Sequence, residues 1–213
     1  HVRSRRQRQM CIRDSIQLIS DLHKKMDSSQ ITGLILAGGR GTRMGTVDKG
    51  LQMFRDAPMA LHVLMRLSPQ VGYIMINANQ NIAPYEAFGV PVWQDDMQGY
   101  PGPLAGLQTG LIHCETDYLV TAPCDSPFLP KDLVERLADG LEQNNADIAV
   151  AVTGAGETRQ AHPVFCLVKA SLLPHLTLYL QEGGRKFDKW YSSLAVAEVH
   201  FDDEDAFRNI NTL

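Results

Sequence analysis

The stretch Leu34 to Gln52 reads LILAGGRGTRMGTVDKGLQ, and its reading decides the fold. An apolar run from Ile31 to Leu36 leads into it and stops at Gly38-Gly39, the pattern of a buried strand running into a loop. Gly38, Gly39, Gly41 and Gly45 then follow, with Arg40, Arg43 and Lys49 among them. Glycine lets a backbone approach a ligand closely, and successive N–H groups in such a loop form an anion-binding concavity. The stretch therefore reads as a polyphosphate site built mainly of main chain and flanked by cations. A Gly-rich turn with no ligand is the bland alternative, and three cations converging on one strand end weigh against it.

Two commoner phosphate loops fit less well. The Walker pattern needs Gly-Lys followed by Ser or Thr, and that pair does not occur here. The dinucleotide fingerprint wants a third glycine where Met44 stands, and an acidic residue at the end of the next strand. That strand, Tyr73 to Ile76, runs into Asn77.

Further along, the chain repeats the same device. Helical spacing covers Pro58 to Leu67, with Ser68-Pro69 as its stop, and His62 within it reads as a packed or surface histidine. Asn77 and Asn79 follow the second strand. An Asn offers both donor and acceptor, so Asn77 suits a nucleobase or ribose as well as a turn. Asn81 to Phe88 reads as a short helix capped by Asn81, and Val90 to Trp93 as a strand leading to Asp95-Asp96. Those carboxylates suit a metal, a ribose or the N–H edge of guanine, or else are solvated loop charge. Leu104 to His113 reads as a helix whose approach and body carry Gly102, Gly106 and Gly110 four apart along one face, which suits close packing, with a lid or substrate contact at Gly102 as the functional alternative. The strand Tyr118 to Ala122 runs into Pro123-Cys124-Asp125-Ser126-Pro127. An Asp between prolines has little freedom and suits a Mg²⁺ ligand, or an Asx-type turn before a helix at Pro130 to Gln143. Cys124 reads as a small buried residue.

Ile148 to Val152 and His162 to Val168 read as two strands joined by a short turn, hence one antiparallel strand. Helices at Ser171 to Leu180 and Phe187 to Tyr191 and a last strand at Ala195 to His200 follow. Strands alternating with helices argue for three layers around a mainly parallel sheet. Right-handed crossovers then place the loops at Gly38, Asn77, Asp95 and Asp125 on one edge.

The residues LAGGRGTRMG with Asp48-Lys49 resemble the signature of nucleotidyltransferases that activate sugars, lipids and pterins. The finer resemblance is to the molybdenum cofactor guanylyltransferase family, whose pattern LAGG-x-x-x-RMG-x-x-DK is present at every specified position. Asn77-Ala78-Asn79, Asp95, YPGPLAGL at Tyr100 to Leu107, PCDSPFLP at Pro123 to Pro130, His162-Pro163 and Asn209 to Thr212 extend it. Thr46 departs from it, where the family often carries a second glycine. The resemblance implies an α/β, three-layer Rossmann-like nucleotidyltransferase fold with a mainly parallel sheet and one antiparallel strand. It implies GMP transfer from GTP to the terminal phosphate of molybdenum-molybdopterin. Arg43, Lys49 and Asp125 would be catalytic, with Asp125 holding Mg²⁺. Leu36, Ala37, Gly38, Lys49, Asn77, Asp95 and Asp125 would bind the nucleotide, and Arg185, Asn209 and Asn211 would face the pterin substrate. Other cofactor-assembly proteins and recipient molybdoenzymes are the further partners it implies. A cytidylyltransferase of the same fold and a non-catalytic nucleotide-binding protein are the rival readings. Arg43, Lys49 and Asp125 together disfavour the second rival, since binding alone does not require all three.

Residues 1–30 read as a basic tail, disordered or foreign to the domain, with Met26 as a natural start. The single domain expected over 31–213 lacks a final helix after Asn209 to Thr212. Residues 1–25 hold seven Lys/Arg and two Asp, a net of +5 within a chain of −4, so the body carries −9. An acidic body argues against general nucleic-acid binding. No apolar stretch approaches the ~20 residues of a membrane span. Cys11, Cys114, Cys124 and Cys166 form no C-x-x-C pair, which gives neither a zinc signature nor a disulfide framework and fits a cytoplasmic protein.

Overall fold

The computed structural model describes residues 25–37, 48–96 and 102–210. Strand β1 (Ile31–Leu36) is buried along its whole length. Its side chains alternate: Ile31 and Ile35 enter one core, Leu34 and Leu36 the other. A strand covered on both faces needs apolar residues at both parities, which is why it reads as an unbroken run.

The chain continues through a small antiparallel ribbon, β2 (Met53–Phe54) and β3 (Ala57–Pro58), into helix α1 (Met59–Leu67). Strand β4 (Tyr73–Asn77), helix α2 (Ile82–Glu86), strand β5 (Val92–Trp93) and helix α3 (Pro103–Ile112) follow. Next come β6 (Tyr118–Pro123), α4 (Leu133–Gln143), β7 (Ile148–Thr153) and β8 (Gln160–Lys169). Helices α5 (Leu173–Gln181) and α6 (Phe187–Tyr191) and strand β9 (Val196–Phe201) complete the order.

The main sheet has seven strands in the order β5-β4-β1-β6-β8-β7-β9. Six run parallel, and β8 is antiparallel to both neighbours. Only six residues, 154–159, join β7 to β8. That is too short for the crossover a parallel pair needs. The connection starts at Gly154, with φ +65°, where a side chain would run into the Thr158 carbonyl. A register shift after Val150 pairs Ala151 with His162, so 163–165 bulge out of the β7 ladder. Pro163, which has no N–H to donate, sits in that bulge. Helices α1, α2 and α4 cover one face of the sheet, and α3, α5 and α6 cover the other. The three-layer α/β architecture read from the sequence is the one observed.

Some local expectations are corrected. Residues 25–30 are folded with the domain: Met26 is buried, and Asp27 caps a single 3₁₀ turn at Ser28–Gln30. The ribbon at Met53–Pro58 was not foreseen, because its turn residue Arg55 takes φ +58° without a glycine to announce it. Asn81 precedes α2 but does not cap it. It adopts a left-handed conformation, and its amide points to another partner. No helix among the described residues is long and apolar enough to cross a membrane.

Candidate active site

The parallel register sets the site. Leu36, at the end of β1, is level with Asn77 of β4 on one side and Pro123 of β6 on the other. Asn77 is in turn level with Trp93 of β5. Four strand ends therefore stand in one row, and the chain reverses its direction of winding at β1, between β4 and β6. In open α/β sheets that crevice is where ligands bind.

On the β4–β5 side, Asp95 is gripped from both oxygens. The Asn77 amide donates to Oδ1 at 2.8 Å and the Asn79 amide to Oδ2 at 2.8 Å. The Asp95 N–H returns a bond to Asn79 Oδ1 at 2.8 Å. Asn77 also donates to the Trp93 carbonyl at 3.2 Å. The structure thus makes Asn77 and Asn79 the holders of Asp95, while Asp96 stays exposed. Asn79, which sequence reasoning left open between turn and ligand, is half of this clamp. Gly106 of α3 makes room for it: a Cβ there would collide with Asn77 Oδ1 and lie 2.6 Å from the Leu36 side chain. Gly110 packs likewise on Leu34, so Gly106 and Gly110 form a packing face, whereas a Cβ at Gly102, with φ +81°, would meet open space.

On the β6 side, Asp125 follows β6 on a tight turn and is buried. Its Oδ2 lies 3.3 Å from Lys49 Nζ. The turn is tied down through its main chain, with the Ile210 N–H donating to the Asp125 carbonyl at 2.9 Å. The fully buried Ser126 donates to Asn209 Oδ1 at 2.7 Å. Asn209 therefore meets the Asp125 turn directly. Its segment is anchored by Phe207, which stacks on His162 at 4.7 Å and packs against Phe165 and Phe201. His162 bonds to Thr153 at 2.9 Å, and burial holds its imidazole below the ordinary value of 6.5. Burial, then the nearby Asp125 and Asp48 carboxylates, push the Cys124 thiol well up. Cys124 is accordingly an inert spacer in the turn.

Between the two sides, Leu36 and Ala37 extend the sheet. The Leu36 carbonyl accepts from Cys124 N–H at 3.1 Å, and the Ala37 N–H donates to the Asn77 carbonyl at 2.8 Å. Gly38, Arg40, Arg43 and Asn211 lie outside the described residues. Arg185 is exposed and donates to the Leu180 and Gly184 carbonyls at 2.9 and 2.6 Å, at the C-terminal end of α5. No described hydrogen bond or ion pair joins it to Lys49, Asn77, Asp95 or Asp125. His62 bonds to the Phe54 carbonyl at 2.8 Å and packs edge-on to its ring, as a packed histidine would.

Among the described residues, no three His, Cys, Asp or Glu side chains gather to hold a metal by themselves. A single reachable carboxylate beside a lysine suits Mg²⁺ that arrives with phosphate oxygens, because this ion takes one or two carboxylates and fills its shell with substrate and water. The residues present fit an ion shared with a nucleotide.

Comparison with known proteins places the chain in a family. Residues 33–196 match the family described as the MobA-like NTP transferase domain. The chain is 58% identical over 191 residues to a molybdenum cofactor guanylyltransferase of Ralstonia pickettii, covering 87% of this chain and 94% of the relative. It is 56% identical over 188 residues to the protein of that name from Bordetella petrii, covering 88% and 96%. Among solved structures, molybdopterin-guanine dinucleotide biosynthesis protein A of Archaeoglobus fulgidus superposes with a TM-score of 0.67 at 23% identity, covering 85% of this chain and 92% of that one. A 4-diphosphocytidyl-2C-methyl-D-erythritol synthase of Anaerococcus prevotii gives 0.70 at 13% identity, covering 88% and 93%. These two likenesses speak to the fold alone. At the level of sequence, the match is close and nearly full length, and the chain belongs to the molybdenum cofactor guanylyltransferase family of MobA-like NTP transferases.

Proposed function

We propose that this enzyme transfers GMP from GTP to the terminal phosphate of molybdenum-molybdopterin, with Lys49, Asp125, Asn77 and Asp95 in the roles set out below. The observation that carries this reading is the row of strand ends. It puts a cation–carboxylate pair and an oriented carboxylate on the same sheet edge. A phosphate oxygen of the pterin attacks the α-phosphorus of GTP. The bond from that phosphorus to the bridging oxygen breaks, and pyrophosphate leaves. The attacking group is already an anion, so no strong base is required. The protein contributes positioning and charge neutralisation.

Lys49, with Arg43, meets the phosphates. Asp125 would hold Mg²⁺, which would supply positive charge to the reacting phosphates. Lys49 and Asp125, which face each other at 3.3 Å, are the two groups that would meet the phosphates and the ion. Asp95, held by Asn77 and Asn79, accepts from the N–H edge of guanine. Leu36, Ala37 and Gly38 are assigned to the base by family resemblance; the Leu36 carbonyl and Ala37 N–H each already make one bond within the sheet. Arg185, Asn209 and Asn211 are assigned to the pterin side by family resemblance. Asn209 keeps its amide donor for that purpose while its oxygen accepts from Ser126. The cytoplasm is the compartment assigned, because Cys114, Cys124 and Cys166 are free thiols and suit a reducing environment.

Pyrophosphate release, measured with Mg²⁺, molybdopterin and each of GTP, CTP, ATP and UTP, tests the reading. Release with GTP is expected. Release with CTP alone would keep the phosphate and metal assignments and overturn the base contacts. No release with any nucleotide, in a protein that binds GTP, would favour the binding-only rival.

A further inference from the structure

Asp48 has no part in the chemistry above, yet three donors converge on its half-buried carboxylate. The hydroxyl of the fully buried Tyr85 donates to Oδ1 at 2.6 Å. The Asn81 amide donates to Oδ2 at 3.0 Å, and the Gly50 N–H donates to Oδ1 at 3.1 Å. The Gly50 bond alone would shape the local 3₁₀ turn at Lys49–Leu51, as an N-cap does. The other two come from 33 and 37 residues further along the chain and tie this turn to the β4–α2 segment. Gly50 is pressed between that segment and the site. A Cβ there would strike the Tyr85 hydroxyl and lie 3.2 Å from both Cβ and Sγ of Cys124, the residue before Asp125. The turn is thus wedged between Tyr85 and the Asp125 turn, and Lys49 leaves it toward Asp125 Oδ2.

We propose that Asp48 and Tyr85, assisted by Asn81, form a latch that holds Lys49 at the phosphate position, which makes them positioning residues for the transfer. The proposal rests on the reading of Lys49 as a phosphate-binding group. It also links the two sides of the site. The segment from Asn77 to Tyr85 grips Asp95 through Asn77 and Asn79, and grips Asp48 through Asn81 and Tyr85. Misplacement of about 1 Å at such a group costs up to about 100-fold in rate.

The test is a double-mutant cycle on GTP-dependent pyrophosphate release, with Tm and GTP affinity measured alongside. Tyr85→Phe keeps the ring and removes the donor. Asn81→Gly keeps the left-handed backbone and removes the amide. Tyr85→Phe is expected to lower kcat/KM for GTP about tenfold and Asn81→Gly about threefold. In a Lys49→Ala background both effects should vanish, because the latch acts only through Lys49. Guanosine, which lacks phosphates, should bind every variant equally well. Equal factors with and without Lys49, or equal weakening of GTP and guanosine, would reduce Tyr85 to a structural role and overturn the latch. Full activity in Lys49→Ala alone would overturn both the latch and the phosphate assignment beneath it. Should Tyr85→Phe fail to fold, Asn81→Gly carries the same cycle at an exposed position.

Discussion

Asp95 and Asp125 are carboxylates on one sheet edge, and they are held in opposite ways. Asp95 has each oxygen fixed by a neutral side-chain amide, with its own N–H bonded in return. Asp125 is fixed through its main chain and through its neighbour Ser126, and the described partner of its carboxylate is the ammonium of Lys49. The first arrangement fixes direction with neutral donors, which suits reading the N–H edge of a base. The second fixes place and sets a cation from a separate turn against the carboxylate, which suits a site for metal and phosphate. On the proposed function, the difference separates base recognition from phosphate chemistry across β1, one on each flanking strand.

The largest test falls on the Asp125 side. Asp125→Ala should lower pyrophosphate release about 100- to 1,000-fold, the loss typical of a removed charge-stabilising group, with Tm little changed. Normal turnover in that variant would leave the two carboxylates without distinct roles. Gly106→Ala comes next. A Cβ there forces Asn77 or Leu36 aside, which should cost about 1–3 kcal/mol of stability by overpacking. It should also weaken GTP binding more than tenfold. A stable variant with unchanged GTP affinity would mean that the Asn77 clamp tolerates displacement.

Asn79→Ala should be milder. It removes the amide donated to Asp95 Oδ2 and the acceptor of the Asp95 N–H; a bond to a charged group is worth about 1.5–3 kcal/mol, so KM for GTP should rise about tenfold or more with kcat held. A fall in kcat at constant KM would move Asp95 to the chemical side and break the contrast. The smallest effect belongs to His162. Its imidazole titrates below 6.5 when folded, so below that pH the unfolded chain binds the extra proton and stability falls as pH is lowered. His162→Gln should flatten the slope of urea midpoint against pH between about 5 and 7. An unchanged slope would assign the acid loss elsewhere.

The sheet was legible because its strands are apolar at both parities. Ile31 to Leu36, Tyr118 to Ala122 and Ile148 to Val152 needed no partner to be recognised. The antiparallel β8 was legible from the shortness of residues 154–159. The site was readable only as far as residue type and strand end allow. Asp95 and Asp125 were visible as carboxylates after strands, whereas their holders were not. Asn79 and Asn81 look alike in sequence, both turn residues, yet one grips Asp95 and the other Asp48 across 33 residues. Ser126 and Tyr85 act through single hydroxyls on distant partners. Such bonds depend on tertiary distance, which no local pattern encodes. Residues 26–30 read as part of the tail because one buried methionine among polar residues has no periodicity.

The bonds from Ser126 to Asn209 and from Ile210 to Asp125 join positions more than 80 residues apart. All the described strands precede residue 209. The sheet can therefore pair in full without residues 209 and 210, whereas the turn bearing Asp125 cannot be tied down without them. The scaffold closes through bonds among its own strands, and the Asp125 turn closes through a segment that follows the last of them. A chain cut after residue 205 would keep every described strand and leave the Asp125 turn unclasped, which separates what the sheet needs from what the turn needs.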